Sequence, residues 1–195
     1  METAGGAIVS NSGLIRWGGL GGVLAGVLYA LTALLSLLAP QGRVFDSFSD
    51  YLIEVIFVVA LAGTLVAIAG LHVLHGGRYG LPGAAGSSIA FVGYALLLVA
   101  AAATTLAGRE VLDAVFPIGV LAILLGSILL GAMTIRARVL PWWSGLLLII
   151  GFPLTVPLDV ISGGGGGLAL AVVWGMVGYV LWSRSAASEQ PSRVS

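Results

Sequence analysis

The sequence predicts an all-α, polytopic membrane protein, a bundle of six transmembrane helices arranged as three sequential hairpins with both termini cytoplasmic. Three observations predict it. Apolar residues make up 59% of the 195 and charged residues only 8%, with a mean hydropathy of +1.12, whereas a soluble domain carries about 25% charged residues. The apolar residues fall into runs long enough to cross a hydrocarbon core. Arginines and carboxylates segregate to alternate connectors between those runs, the pattern left by membrane topology.

Residues 1–13 form a polar tail without the basic region that precedes the apolar core of a signal peptide, so the first run is a helix to be kept. The single membrane domain spans residues 14–183. Its first span, 14–39, stops at Pro40-Gln41-Gly42. Gly18, Gly22 and Gly26 recur every four residues, so they share one face and leave a groove that another backbone can approach closely.

Val44 to Glu54 is two-sided at the helical period. Val44, Phe45, Phe48, Tyr51 and Leu52 cluster on one side, and Asp46, Ser47, Asp50 and Glu54 on the other. It predicts an interfacial amphipathic turn leading into the second span, 51–75, which closes on Gly76-Gly77. The third span, 82–107, opens with small residues from Gly83 to Ser88 and is expected to be narrow and packed there. Gly108 to Asp113 is a charged connector to the fourth span, 111–135, where Pro117 predicts a kink.

Arg136 to Leu146, with two arginines, a proline and the pair Trp142-Trp143, is the signature of a chain leaving the bilayer and re-entering it. The fifth span, 141–161, is interrupted by Pro153 and Pro157. Ser162 and Gly163 to Gly167 form a flexible linker; a phosphate loop needs spaced glycines after a strand, usually with lysine, and the chain has no lysine. A short sixth span, 168–183, precedes a polar tail, 184–195, expected to be disordered.

Sorting charges by side tests this topology. Arg16, Arg78, Arg136, Arg138, Arg184 and Arg193 fall inside with Glu2 and Glu189, while Arg43 and Arg109 fall outside with Asp46, Asp50, Glu54, Glu110, Asp113 and Asp159. Trp17, Tyr79, Trp142, Trp143 and Trp182 land at the inner boundary.

The six outer acids are the candidate site. Converging, they would make an outward mouth able to gather cations, a metal ion or cationic substrates. A structural role competes with this reading, because carboxylates at helix N-termini gain about 0.3–1 kcal/mol each from the helix dipole. Glu54 and Asp159 lie deepest. His72 and His75 share a face at the inner end of the second span, where a solvated helix end favouring positive charge accounts for them. Trp174 stands mid-span beside glycines, suited to packing against a glycine groove or to lining an apolar pocket. Membrane-level serines and threonines can bond their own i−4 carbonyls.

No cofactor is expected. The chain has no cysteine, which removes disulfides, thiolate metal sites and cysteine nucleophiles. The histidines lie on one helix and cannot clamp a haem from opposite faces. With a formal charge of zero and no basic block, no nucleic acid is expected either. The partners expected are the lipid bilayer and a membrane protein, a second copy of the chain included.

Leu140-Pro141-Trp142-Trp143-Ser144-Gly145-Leu146 followed by Gly151, with Arg16-Trp17-Gly18-Gly19-Leu20 near the start, resembles the six-helix integral membrane proteins of GC-rich bacteria known as the DUF4386-like group. That resemblance implies a bacterial inner membrane and no assigned activity. Three function classes follow from the residues. A noncatalytic component binding lipid or a protein partner through its glycine-lined face leads. A small transporter or channel subunit using the outer acids comes second. A lipid-modifying enzyme is last, for want of a base and nucleophile at one depth.

Overall fold

In a computed structural model the chain is all helical among the described residues, which are 4–38, 45, 47–76, 78, 80–162 and 164–188, with side chains described between 12 and 185. Asp46, Arg43, Tyr79 and residues 189–195 of the predicted tail lie outside the described residues. Seven helices follow one another: α1 (Ala4–Leu38), α2 (Phe48–His75), α3 (Gly80–Ala107), α4 (Val115–Ala137), α5 (Trp142–Gly151), α6 (Thr155–Ser162) and α7 (Gly166–Ser188). Five are long and apolar enough to cross a membrane, and α5 with α6, bent by 53° at a short break, make up to six. Large apolar side chains such as Leu24, Val27, Val92, Val99 and Leu121 face outward, as they do when lipid is the solvent.

Several boundaries differ from the sequence reading, each for a local reason. α1 extends back to Ala4, into the predicted tail, because Ala4 to Gly13 contains no proline to stop it. α7 begins inside the glycine run at Gly166 and continues past Ser183 to Ser188, since Arg184, Ala186 and Ala187 are good helix formers. α4 starts at Val115, which puts Pro117 in its first turn, where the missing N–H has no intrahelical partner, and α4 continues as one helix to Ala137. The residues of the predicted fifth span form the bent pair α5 and α6, broken at Phe152 to Leu154 around Pro153, while Pro157 sits harmlessly in the first turn of α6.

The amphipathic turn before the second span is the start of α2 itself. Ser47 caps it, accepting from Asp50 N–H at 3.3 Å, and Asp50 Oδ2 accepts from Ser47 N–H at 3.0 Å. Phe48 and Tyr51 are exposed, while Asp50 is buried. The apolar side therefore faces lipid and the acidic side faces protein.

Contacts between glycines set which helices touch. A Cβ at Gly18 would lie 2.6 Å from Gly70 Cα of α2, one at Gly22 would lie 2.8 Å from Gly178 Cα of α7, and one at Gly26 would lie 2.6 Å from Gly175 N of α7. The Gly18/Gly22/Gly26 face is thus occupied by α2 and α7 of the same chain. α7 packs along α1 more extensively than along α5 or α6, so α1, α2 and α7 form one tight unit. α3, α4 and α5 form a second, joined at Gly86 against Leu130, Gly93 against Ile123 and Gly131 against Ile149. The first two hairpins are present as neighbours, but α7 leaves the third for α1 because its small residues match those of α1.

These pairings also set the two ends of the bundle. Gly18 meets Gly70, Gly19 meets Trp182, and Gly145 meets Ile135, so Arg16, Arg78, Arg136, Arg138 and Arg184 collect at one end. At the opposite end Phe45 N–H donates to Gly108 O at 3.0 Å and Gly164 lies against Ser36, which brings together the connector carrying Glu110 and Asp113 and the helix α6 carrying Asp159. The segregation of charge is a property of the fold as well as of the sequence.

A candidate binding cavity at the acidic end

Between the two helix units, at the acidic end, lies a cavity of about 1000 Å³. Its mouth carries Glu54, Glu110, Asp113 and Asp159, and all of the charged residues that line it, among those described, are acids. Its wall also carries Thr32, Ser36, Thr104, Phe57 and Phe116, and behind that wall Tyr29, Leu61, Tyr94 and Leu97 are buried. From Glu54 to Phe57 along α2 is about 4.5 Å at the rise of an α-helix.

Each acid is placed by a distinct local device. Glu54 is half-buried one turn beyond the capping box of α2. Glu110 and Asp113 sit on a connector that turns at Gly108 (φ +63°) and Leu112 (φ +61°), and it is pinned by Thr104, whose hydroxyl accepts from Val111 N–H at 3.4 Å. A Cβ at Gly108 would collide with the Tyr51 hydroxyl, so glycine is required there for space as well as for its positive φ. Asp159 Oδ1 accepts from Gly166 N–H at 2.6 Å, the first residue of α7, and Ser162 Oγ accepts from Gly165 N–H at 2.8 Å. A carboxylate at that helix start is favoured by the dipole as well as by the hydrogen bond.

Of the six acids of the predicted site, then, Glu54, Glu110, Asp113 and Asp159 are brought to one cavity. Asp50 is not among its lining residues; it is spent on the cap of α2, although its spacing of four from Glu54 puts both on one helical face. Asp46 lies outside the described residues. Among the described residues no group of three His, Asp or Glu side chains is arranged to hold a metal ion.

The aromatic cluster behind the wall was only half visible in the sequence. Tyr94 packs edge-on against Trp174 at 5.7 Å and against Phe152 at 6.5 Å, and Trp174 Nε1–H donates to Tyr94 Oη at 3.2 Å. Tyr29 packs edge-on against Phe57 at 6.0 Å, and Thr64 Oγ1 donates to Tyr29 Oη at 3.3 Å. Trp174 is buried, and with Tyr94 it joins the α1/α2/α7 unit to the α3/α4/α5 unit. Both tyrosines are fully buried, which requires a partner for each hydroxyl, and a buried tyrosine at mid-span is the signal that points to this cluster.

At the basic end His75 departs from the expected solvated histidine. It is fully buried, with Nδ1–H donating to Leu71 O at 2.7 Å, while His72 is exposed. Packing of the end of α2 against its neighbours, which helix periodicity does not reveal, makes the difference. Of the membrane-level hydroxyls, Thr32 bonds Leu28 O and Thr105 bonds Ala101 O, each at 2.9 Å, as expected, whereas Thr64 donates to Tyr29, Thr104 accepts from Val111 N–H and Thr155 bonds Phe152 O three residues back. No protein-family model matches the chain, and neither the curated proteins nor the solved structures contain a match to it.

Proposed function

We propose that this chain is a noncatalytic, multi-pass membrane component that binds a cation-bearing ligand in the cavity at its acidic end. The observation that carries the reading is the convergence of Glu54, Glu110, Asp113 and Asp159, from three separate segments, on one cavity with no basic residue among its described lining. Carboxylates lining a concave, low-dielectric site focus their field and raise the local concentration of cations. The cavity takes precedence over the Gly18/Gly22/Gly26 face as a ligand site because α2 and α7 already fill that face.

The positive-inside rule places the arginine-rich end in the cytoplasm and the cavity mouth outside. An arginine-only basic complement and the resemblance to the DUF4386-like group support a bacterial inner membrane as its setting. A second reading, a small transporter, is favoured by the position of the cavity between two separately packed helix units, since relative rocking of two such units is how many transporters expose a central site. Uptake of the bound cation into proteoliposomes distinguishes transport from binding alone.

The test of binding is a thermal-unfolding series in lipid nanodiscs with sodium, calcium, tetramethylammonium and tetraphenylphosphonium. At least one cation is expected to raise the Tm saturably, because a ligand at about 100 times its Kd adds about 2.7 kcal/mol to stability. The shift is expected to vanish in Glu54→Gln combined with Asp159→Asn. Asparagine keeps an acceptor for Gly166 N–H, so the start of α7 survives while the charge is removed. A shift of unchanged size in that double variant would sink the proposal.

A further inference from the structure

Resting on that reading, we infer that the ligand is a bulky lipophilic monocation, an organic cation whose charge sits among the mouth carboxylates and whose apolar body packs against the aromatic wall beside them. Size is the first argument. At about 1000 Å³ the cavity has the volume of a pocket for an organic molecule, many times the roughly 30 Å³ share of one water. An inorganic ion would leave most of it empty or flooded.

The wall chemistry is the second argument. The acids are Glu54, Glu110, Asp113 and Asp159, and the aromatic wall open beside them is Phe45, Phe57 and Phe116, with Tyr29 and Tyr94 buried behind it. A hard divalent cation needs several oxygen ligands converging at about 2.0–2.6 Å. Among the described residues no three His, Asp or Glu side chains are grouped to supply them. A diffuse monocation has no such requirement: it is held by carboxylates that ring it without chelating it and by aromatic rings beside it. Its apolar body takes the place of water against the aromatic wall, where an ion alone would lose its hydration without replacement.

The third argument is spacing. Phe57 stands three residues beyond Glu54 on α2, about 4.5 Å further along the helix axis. A ligand held at the Glu54 carboxylate therefore meets that ring with its apolar part.

The experiment measures saturable binding of radiolabelled tetraphenylphosphonium to the full chain in nanodiscs, with empty nanodiscs subtracted for partitioning, and competes it with tetramethylammonium and with tetraphenylborate. The expected result is one saturable site per chain, for which tetramethylammonium competes about 100-fold more weakly, having no apolar body to bury. Tetraphenylborate, of the same shape but opposite charge, is expected not to compete. Phe57→Ala should weaken tetraphenylphosphonium several-fold and leave tetramethylammonium unchanged. If tetramethylammonium competes as well as tetraphenylphosphonium, or if calcium alone binds, the ligand class is wrong while the acidic cation site stands. If no cation saturates, or if tetraphenylborate competes equally, both the ligand class and the cation site are overturned.

Discussion

Gly26→Ala is expected to destabilise the bundle by about 3 kcal/mol, the upper end for overpacking, whereas Gly175→Ala, at the same contact, is expected to leave stability unchanged or raise it by up to about 1 kcal/mol. The asymmetry follows from geometry. A Cβ at Gly26 would meet Gly175 N at 2.6 Å, Gly175 Cα at 2.7 Å and Ala171 O at 2.8 Å, all backbone atoms that cannot rotate aside. A Cβ at Gly175 meets nothing within 4 Å, so alanine adds helix propensity without a clash. Reversible unfolding in mixed micelles of detergent and SDS measures both variants. Equal effects at the two positions would mean that α1 and α7 do not cross where their glycines place them.

Trp174→Ala is expected to cost about 3–5 kcal/mol, the range for removing a buried aromatic side chain. The indole is buried, packs edge-on against Tyr94 and donates to its hydroxyl at 3.2 Å, so its loss opens a void between the two helix units behind the cavity wall. Trp174→Phe keeps most of the volume and removes the hydrogen bond, for an expected loss of about 1–3 kcal/mol. Combining Trp174→Phe with Tyr94→Phe should cost less than the sum of the single changes, because the second removes the acceptor that the first leaves unsatisfied. The same unfolding assay reads all four proteins. Strict additivity would show that the Trp174 to Tyr94 bond does not join the units.

The spans, their connectors and the separation of charge were legible in the sequence because they obey local rules: run length against bilayer thickness, proline in a first turn, arginine on alternate connectors. Pro153 announced the break between α5 and α6 for the same reason. Partner choice among helices was not legible. Gly22 meets Gly178 and Gly26 meets Gly175 across nearly the whole length of the chain, and complementary small residues leave no mark on hydropathy. For the candidate site, the grouping of the acids at one end could be read, and spacing put Asp50 beside Glu54 on one face. Which of them opens onto a cavity depended on the cap formed by Ser47 and on a connector turned at Gly108 and Leu112, neither of which periodicity encodes. His75 illustrates the same limit at the other end, since its burial depends on neighbours that its own helix does not specify.

The absence of cysteine from the chain permits a direct reading of which end faces outward. Single substitutions Asp113→Cys, at the cavity mouth, and Arg138→Cys, at the α4 to α5 connector, are labelled in intact cells with a membrane-impermeant maleimide. Both positions are exposed in the fold, so labelling reports sidedness and not burial. An outward acidic mouth predicts labelling of the Asp113→Cys protein in intact cells and of the Arg138→Cys protein only after permeabilisation. Labelling of the Arg138→Cys protein in intact cells, with the Asp113→Cys protein protected, would reverse the threading and leave the acidic cavity facing the cytoplasm.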